Sequence, residues 1–193
     1  MTDFCMLVNK KYPLPSNYVP TNLVDSSSPN LDFILDPNEK ILIVEDVLIA
    51  FNQLKEAGLK DGHHIEIESG YRSYHYQEKL RKHYIATKGE EWTRKYVALP
   101  GTSEHQTGLA IDFLLVRNSK LIEEMNDDDK EVHWVHQNAH LYGFIIRYPK
   151  NKERITGYSY EPWHLRYVTK KTAIFLKENN ITLEEYFQNK KDN

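Results

Sequence analysis

The spacing of apolar positions along this chain changes period several times. Residues 41, 44, 47, 48, 51 and 54 are apolar at helical spacing. Asp36 reads as the N-cap of that helix, Pro37 as its first residue and Glu39 as the partner completing a capping box. Gly58 reads as its end. Residues 63–68 (HHIEIE) alternate as a strand does, and Ser69-Gly70 turns the chain. Residues 74–87 read as a helix, and 88–108 as mostly loop, punctuated by Pro100, Gly101 and Gly108. Residues 109–116 (LAIDFLLV) form a short apolar run of strand type with one charge inside it. Asp127 to Asp129 open a helix at the end where carboxylates are favoured, running to Tyr142 and stopping at Gly143. Residues 144–148 and 163–168 are strand candidates, and 170–179 a helix. A last helix has Thr182 as cap and Glu185 three residues on. Strands mixed with helices, without regular alternation, predict an α+β domain with a mainly antiparallel central sheet flanked by helices. A parallel doubly wound sheet is the weaker reading.

At 193 residues the chain is expected to form one domain. Residues 11–38 are rich in Pro, Asn, Ser and Asp, with prolines at 13, 15, 20, 29 and 37. Each proline fixes its own φ and restricts its neighbour, so residues 1–38 read as an extended arm packed on a domain spanning 39–193.

Charge narrows the function classes. Twenty-five basic against twenty-eight acidic residues leave a net charge of -3, which argues against a nucleic-acid partner. The longest apolar run, 41–51, is broken by Glu45 and Asp46, so no membrane span is expected. The first fifteen residues lack a basic region followed by an apolar stretch. The cytoplasm is therefore the expected compartment, or an extracytoplasmic one if a leader precedes this sequence. A single cysteine, Cys5, allows neither an internal disulfide nor a thiolate zinc cluster, so a metal site must use His and carboxylates.

Asp112 is the charge inside LAIDFLLV. In a strand, Ala110, Asp112 and Leu114 face one side and Leu109, Ile111 and Phe113 the other. A buried carboxylate there needs a metal, a cation or several donors. His105 lies seven residues upstream, an odd spacing that puts it on the opposite face of a straight strand; Gly108 can supply the bend that brings the two together. The bland alternative is a paired Asp112 and a loop histidine. Glu161-Pro162-Trp163-His164 places a second carboxylate and imidazole three residues apart. His105, Asp112 and His164 together offer the three ligands typical of catalytic zinc, which leaves Glu161 free as a base on a water. In a regular strand Glu161 and His164 would point apart, so a bulge or an intervening water is required. Arg72, after the Ser69-Gly70 turn, is a bidentate partner for a carboxylate or an oxyanion, or else a surface arginine in a salt bridge. Gln77 could add a donor, and Ser103 could hydrogen-bond a substrate backbone. His133, His136 and His140 read as helix-face histidines, because residue 137 is Gln where the helical metalloprotease pattern has Glu. His63, His64, His75 and His83 read as surface or strand-edge residues.

Three segments, SGYRSYHYQ (69–77), LPGTSEHQTGLAIDF (99–113) and YGFIIRYPKNKERITGYSYEPWHLRYV (142–168), resemble those of the VanY-type D-alanyl-D-alanine carboxypeptidases. These form a zinc peptidase superfamily with D,D-dipeptidases and L,D-carboxypeptidases. The full-length look is similar to the cytoplasmic bifunctional D,D-dipeptidase/D,D-carboxypeptidases linked with glycopeptide resistance. The resemblance implies His105, Asp112 and His164 as Zn2+ ligands, Glu161 as general base, and Arg72 as the substrate-carboxylate or oxyanion residue. It further implies Ser103 and Gln77 as substrate contacts and Trp163 as a pocket wall. The expected reaction is removal of the C-terminal D-Ala from peptidoglycan stem peptides. The alternatives are D,D-dipeptidase action on D-Ala-D-Ala, L,D-carboxypeptidase action, or a zinc-containing module that binds cell-wall peptide without cutting it. A free Glu161 speaks against the last.

Overall fold

The computed structural model describes residues 2–27 and 40–191. Its centre is an antiparallel sheet built around the apolar run that carries Asp112. That run forms β4 (Ala110–Arg117), paired on one side with β3 (Ile65–Ser69) and on the other with β7 (His164–Tyr167). β6 (Phe144–Ile146) continues the sheet beyond β7, and β5 (Lys120–Ile122) folds back on the far end of β4. Every strand pairing among the described residues is antiparallel, in line with the mainly antiparallel sheet the sequence predicts.

Period two along β4 sorts its side chains. Leu109, Ile111, Phe113 and Leu115 join the main core together with Ile65, Ile67, Phe144 and Leu165. That core is completed by Val47, Phe51 and Leu54 of α1 (Glu45–Lys60) and by Val132 and Val135 of α4 (Lys130–Asn138). Asp112 lies on the other face, free of the helices that cover the core.

The first helix starts later than its periodicity predicts. Leu42–Val44 form β2, which pairs with β1 (Leu23–Asp25). The β-branched Ile43 and Val44 suit extended backbone, and the backbone there has partners besides β1: Tyr71 N–H donates to Leu42 O, and Val44 N–H to Gly108 O. Glu45 and Asp46 then supply the acidic first turn. Gly58 lies inside the last turn instead of ending the helix. A Cβ there would stand 3.0 Å from His63 O and 3.2 Å from the Trp134 ring, a tight fit that glycine relieves. The expected caps Asp36, Pro37 and Glu39, and the expected arm boundary at 38/39, lie outside the described residues.

Residues 88–108 are more ordered than a loop. α2 (Tyr74–Lys88) ends at Gly89 (φ +88°), and α3 (Glu90–Tyr96) follows at once. Thr93 is the only buried residue of α3, so seven residues leave too short an apolar pattern to read. Glu104–Thr107 make a 3₁₀ turn. α4 continues into a second such turn, Ala139–Tyr142, which stops at left-handed Gly143 as expected. After the short α5 (Glu153–Thr156) come β7, α6 (Lys170–Asn179) and α7 (Leu183–Lys191). The expected capping box of α7 is present: Thr182 N–H donates to Glu185 Oε2 at 2.8 Å, and Glu185 N–H to Thr182 Oγ1 at 3.2 Å.

Residues 2–27 run across this domain and are tied to it. Phe4 packs edge-on against Tyr167, and Leu14 N–H donates to Gly101 O at 2.8 Å. Gln106 Nε2 donates to Pro15 O at 2.9 Å. Among the described residues no helix is long and apolar enough to cross a membrane.

Candidate active site

Register brings Asp112 and His164 together. The two residues are direct partners across β4 and β7, so their side chains leave the same face of the sheet side by side. His105 arrives from the 3₁₀ turn. Gly108, at φ +68°, then redirects the chain into β4, which is the bend the odd spacing requires. One ligand atom from each of His105, Asp112 and His164 falls within 4.8 Å of the others, and all three side chains are buried.

Hydrogen bonds fix what each imidazole presents. His105 Nδ1 lies 2.6 Å from Gly70 O, an atom that can only accept, so the proton sits on Nδ1. Nε2 is left as a lone pair 3.1 Å from Asp112 Oδ2, buried and with no hydrogen-bond partner among the described residues. His164 is turned the other way. Its Nδ1 lies 2.8 Å from Asp112 Oδ1, and its Nε2 points away from the cluster toward Glu104 Oε2 at 3.7 Å. Two imidazoles and a carboxylate, with an orphaned ring nitrogen aimed into the space between them, fit a divalent metal of the zinc type.

Electrostatics around the cluster are strongly perturbed. Burial alone would raise Asp112, but His105 and His164 hold its carboxyl well below the usual range. Burial, with Arg72 nearby, lowers His105. Burial also disfavours charge on His164, yet Asp112, Glu104 and Glu161 outweigh it and raise the imidazole to about 9.

Glu161 joins the group through a turn. Residues 162 and 163 turn just before β7, and Glu161 Oε2 stands 3.9 Å from His164 Nδ1. The turn achieves what a straight strand could not, and no bulge is needed. Burial pushes the Glu161 carboxyl up to about 7. Arg72 follows Gly70, where a Cβ would meet Leu42 O at 2.5 Å. Its Nη2 reaches Asp112 Oδ2 at 3.4 Å, while its Nε is buried without a partner among the described residues.

All eight residues predicted from the sequence line one cavity of about 430 Å³. Ser103 and Trp163 form part of its wall. Gln77 differs from the expected spare donor: its Nε2 is engaged with Ala98 O at 3.0 Å, and the buried atom left without a partner is the acceptor Oε1. Tyr84, Trp92 and Tyr96 close one side, Tyr148 and Tyr158 another. The helix histidines stand apart from this cavity. His136 Nε2 instead contacts Pro162 O at 2.9 Å and braces the turn behind Glu161. His64 and His75 do have carboxylate neighbours, Glu66 at 3.1 Å and Glu78 at 3.8 Å, away from the cluster.

Sequence reasoning missed the charges behind the site. Glu104 is fully buried between Arg147 and Arg166, and Arg147 continues to Glu184. The available signal was an arginine at the end of each apolar strand, in FIIRY and in HLRY, with a glutamate beside His105.

The profile of the VanY family, described as D-alanyl-D-alanine carboxypeptidase, matches residues 40–170. YodJ of Bacillus subtilis is 45% identical over 183 residues, covering 94% of this chain; the chain spans 66% of YodJ's length. The bifunctional D-Ala-D-Ala dipeptidase and D-Ala-D-Ala carboxypeptidase VanXYC of Enterococcus gallinarum is 38% identical, with 93% of this chain and 91% of that protein covered. Among solved structures, the LdcB LD-carboxypeptidase superposes with a TM-score of 0.80 at 45% identity, covering 94% of this chain and 84% of its own. A mutant of the vancomycin resistance D,D-pentapeptidase VanY in complex with Zn(II) gives 0.77 at 31% identity, covering 95% and 98%. The chain belongs to the VanY family of D-alanyl-D-alanine carboxypeptidases, a family of metallopeptidases.

Proposed function

We propose that this protein is a zinc-dependent D,D-carboxypeptidase that removes the C-terminal D-alanine from peptidoglycan precursor stem peptides. One observation carries the reading: His105, Asp112 and His164 converge within 4.8 Å, and Glu161 stands beside them in the same cavity. His105, Asp112 and His164 would hold the ion. Bound zinc supplies Lewis acidity toward a carbonyl and makes a water acidic enough to ionise near neutral pH.

The remaining work falls to the chain's own side chains. Glu161 takes the proton of the attacking water at its carboxylate and delivers it to the departing amine. Its burial matches that task, because a carboxyl raised to about 7 both accepts and returns a proton near neutrality. Arg72, with an unsatisfied Nε, binds the substrate's terminal carboxylate or the charge growing on the carbonyl oxygen. Trp163, Tyr148 and Tyr158 shield the reacting groups from bulk water.

Mass-spectrometric products from D-Ala-D-Ala, a tetrapeptide stem and a pentapeptide stem, each with and without chelator, test the assignment. The expected result is loss of one D-alanine from the pentapeptide, abolished by chelator and restored by zinc. A second reading, L,D-carboxypeptidase, is favoured by the 45% identity to LdcB. It predicts trimming of the tetrapeptide with the pentapeptide untouched. Release of alanine from the free dipeptide alone would point to a dipeptidase, and no cleavage of any substrate would sink the enzymatic assignment.

A further inference from the structure

Two buried atoms face one another without hydrogen bonds. Glu104 Oε1 accepts from Arg147 Nε at 2.7 Å and from Arg166 Nη1 at 2.6 Å. Glu104 Oε2 accepts from neither. It stands 3.7 Å from His164 Nε2, and both atoms are buried and lack a hydrogen-bond partner among the described residues. We propose that Glu104 is a positioning residue for the metal centre: its Oε2 holds the His164 proton on Nε2 and thereby keeps the Nδ1 lone pair turned toward Asp112 and His105. The proposal rests on reading those three residues as a metal-binding group.

The surrounding charges explain why Glu104 can do this. Arg147 spends its other edge on Glu184, at 2.9 and 2.6 Å. Arg166 spends its remaining donors on the carbonyls of Phe4, Met6 and Tyr167. Both guanidinium groups therefore occupy Oε1 and leave Oε2 to the imidazole. A neutral imidazole carries one proton, and a carboxylate oxygen can only accept. Closing the 3.7 Å gap to a charge-assisted hydrogen bond of about 2.8 Å satisfies both orphaned atoms at once. His105 is held in the opposite sense, through Nδ1 on Gly70 O. The two ligating histidines therefore present opposite tautomers.

Glu104→Gln is the informative variant. Two N–H donors surround the Oε1 position, so the amide oxygen must lie there and the NH₂ group must face His164 Nε2. That arrangement moves the histidine proton to Nδ1, the atom facing the cluster. Zinc affinity is measured by chelator competition. The tautomers are read from long-range proton–nitrogen correlation spectra of zinc-loaded protein labelled with ¹⁵N-histidine, and folding is checked by circular dichroism. Wild-type protein should show His105 protonated on Nδ1 and His164 on Nε2. Glu104→Gln should fold, bind zinc about 10–100-fold more weakly and lose the His164 Nε2–H signature. A folded Glu104→Gln with zinc affinity within about twofold of wild type overturns the proposal, on the same affinity scale. So does a wild-type His164 protonated on Nδ1, a result that decides the matter even if the variant fails to fold. Wild-type protein that takes up no zinc defeats the parent reading instead, and is recognised by the absence of binding before any substitution is made.

Discussion

Asp112 and His164 stand opposite one another across β4 and β7, with carboxylate and Nδ1 2.8 Å apart, as a direct result of strand register. A slip of one residue would send one of them into the hydrophobic layer. The placing of these two side chains therefore depends on the register of the sheet and on the core packing that fixes it.

Replacing His105 or His164 by Ala should abolish stoichiometric zinc in protein that still folds, since two ligands remain where catalytic sites use three. Metal analysis of the purified variants checks this. Undiminished zinc in either one removes that residue from the ligand set.

Glu161→Gln should retain zinc and lose turnover by about 10²–10⁴-fold, the usual contribution of a positioned proton-transfer group. Single-turnover assays with metal content measured in parallel separate the two effects. Retained turnover would move the base elsewhere.

Arg72→Ala should harm hydrolysis of a peptide with a free C-terminal carboxylate more than that of its amidated counterpart. The ratio of the two kcat/KM losses is the readout. Equal losses would assign Arg72 to the oxyanion or to holding Asp112, which it contacts at 3.4 Å.

The buried charges behind the site should set the acid limit of the fold. Glu104 is held below its ordinary value of 4.5: burial raises it, but Arg147, Arg166 and His164 together lower it more. A folded-state pKa below the unfolded one contributes stability above about pH 4.5 that fades as pH falls further. Denaturant titrations of metal-free protein should show that loss. Arg147→Met, which leaves Glu104 with Arg166 alone and Glu184 without its arginine, should destabilise the fold at neutral pH by up to about 3–5 kcal/mol. Unchanged stability would mean that the network relaxes or takes in water.

How much of this was legible in the sequence depended on whether a residue's neighbours lie along the chain or across the fold. The strand around Asp112, the last helix with its Thr182–Glu185 box and the stop at Gly143 rest on local patterns, and the structure places them as read. Residues 42–44 deceived the helical periodicity because their partners, Leu23–Asp25, lie well upstream. α3 escaped notice because it buries a single residue, Thr93. Asp112 could be anticipated because a charge inside an apolar run is conspicuous, whereas His105, Glu161 and His164 were reached through motif spacing and the family resemblance. Glu104 was missed, since its counter-ions Arg147 and Arg166 come from two other strand segments and only the two arginines taken together with the glutamate beside His105 carry the signal.

Arg166 donates to the carbonyl oxygens of Phe4 and Met6 while its Nη1 grips Glu104. Backbone at residues 4 and 6 thus serves as a strut beneath His164. Deleting residues 2–7 would take both carbonyls from that guanidinium, so a cut far from the cavity would loosen the support behind His164.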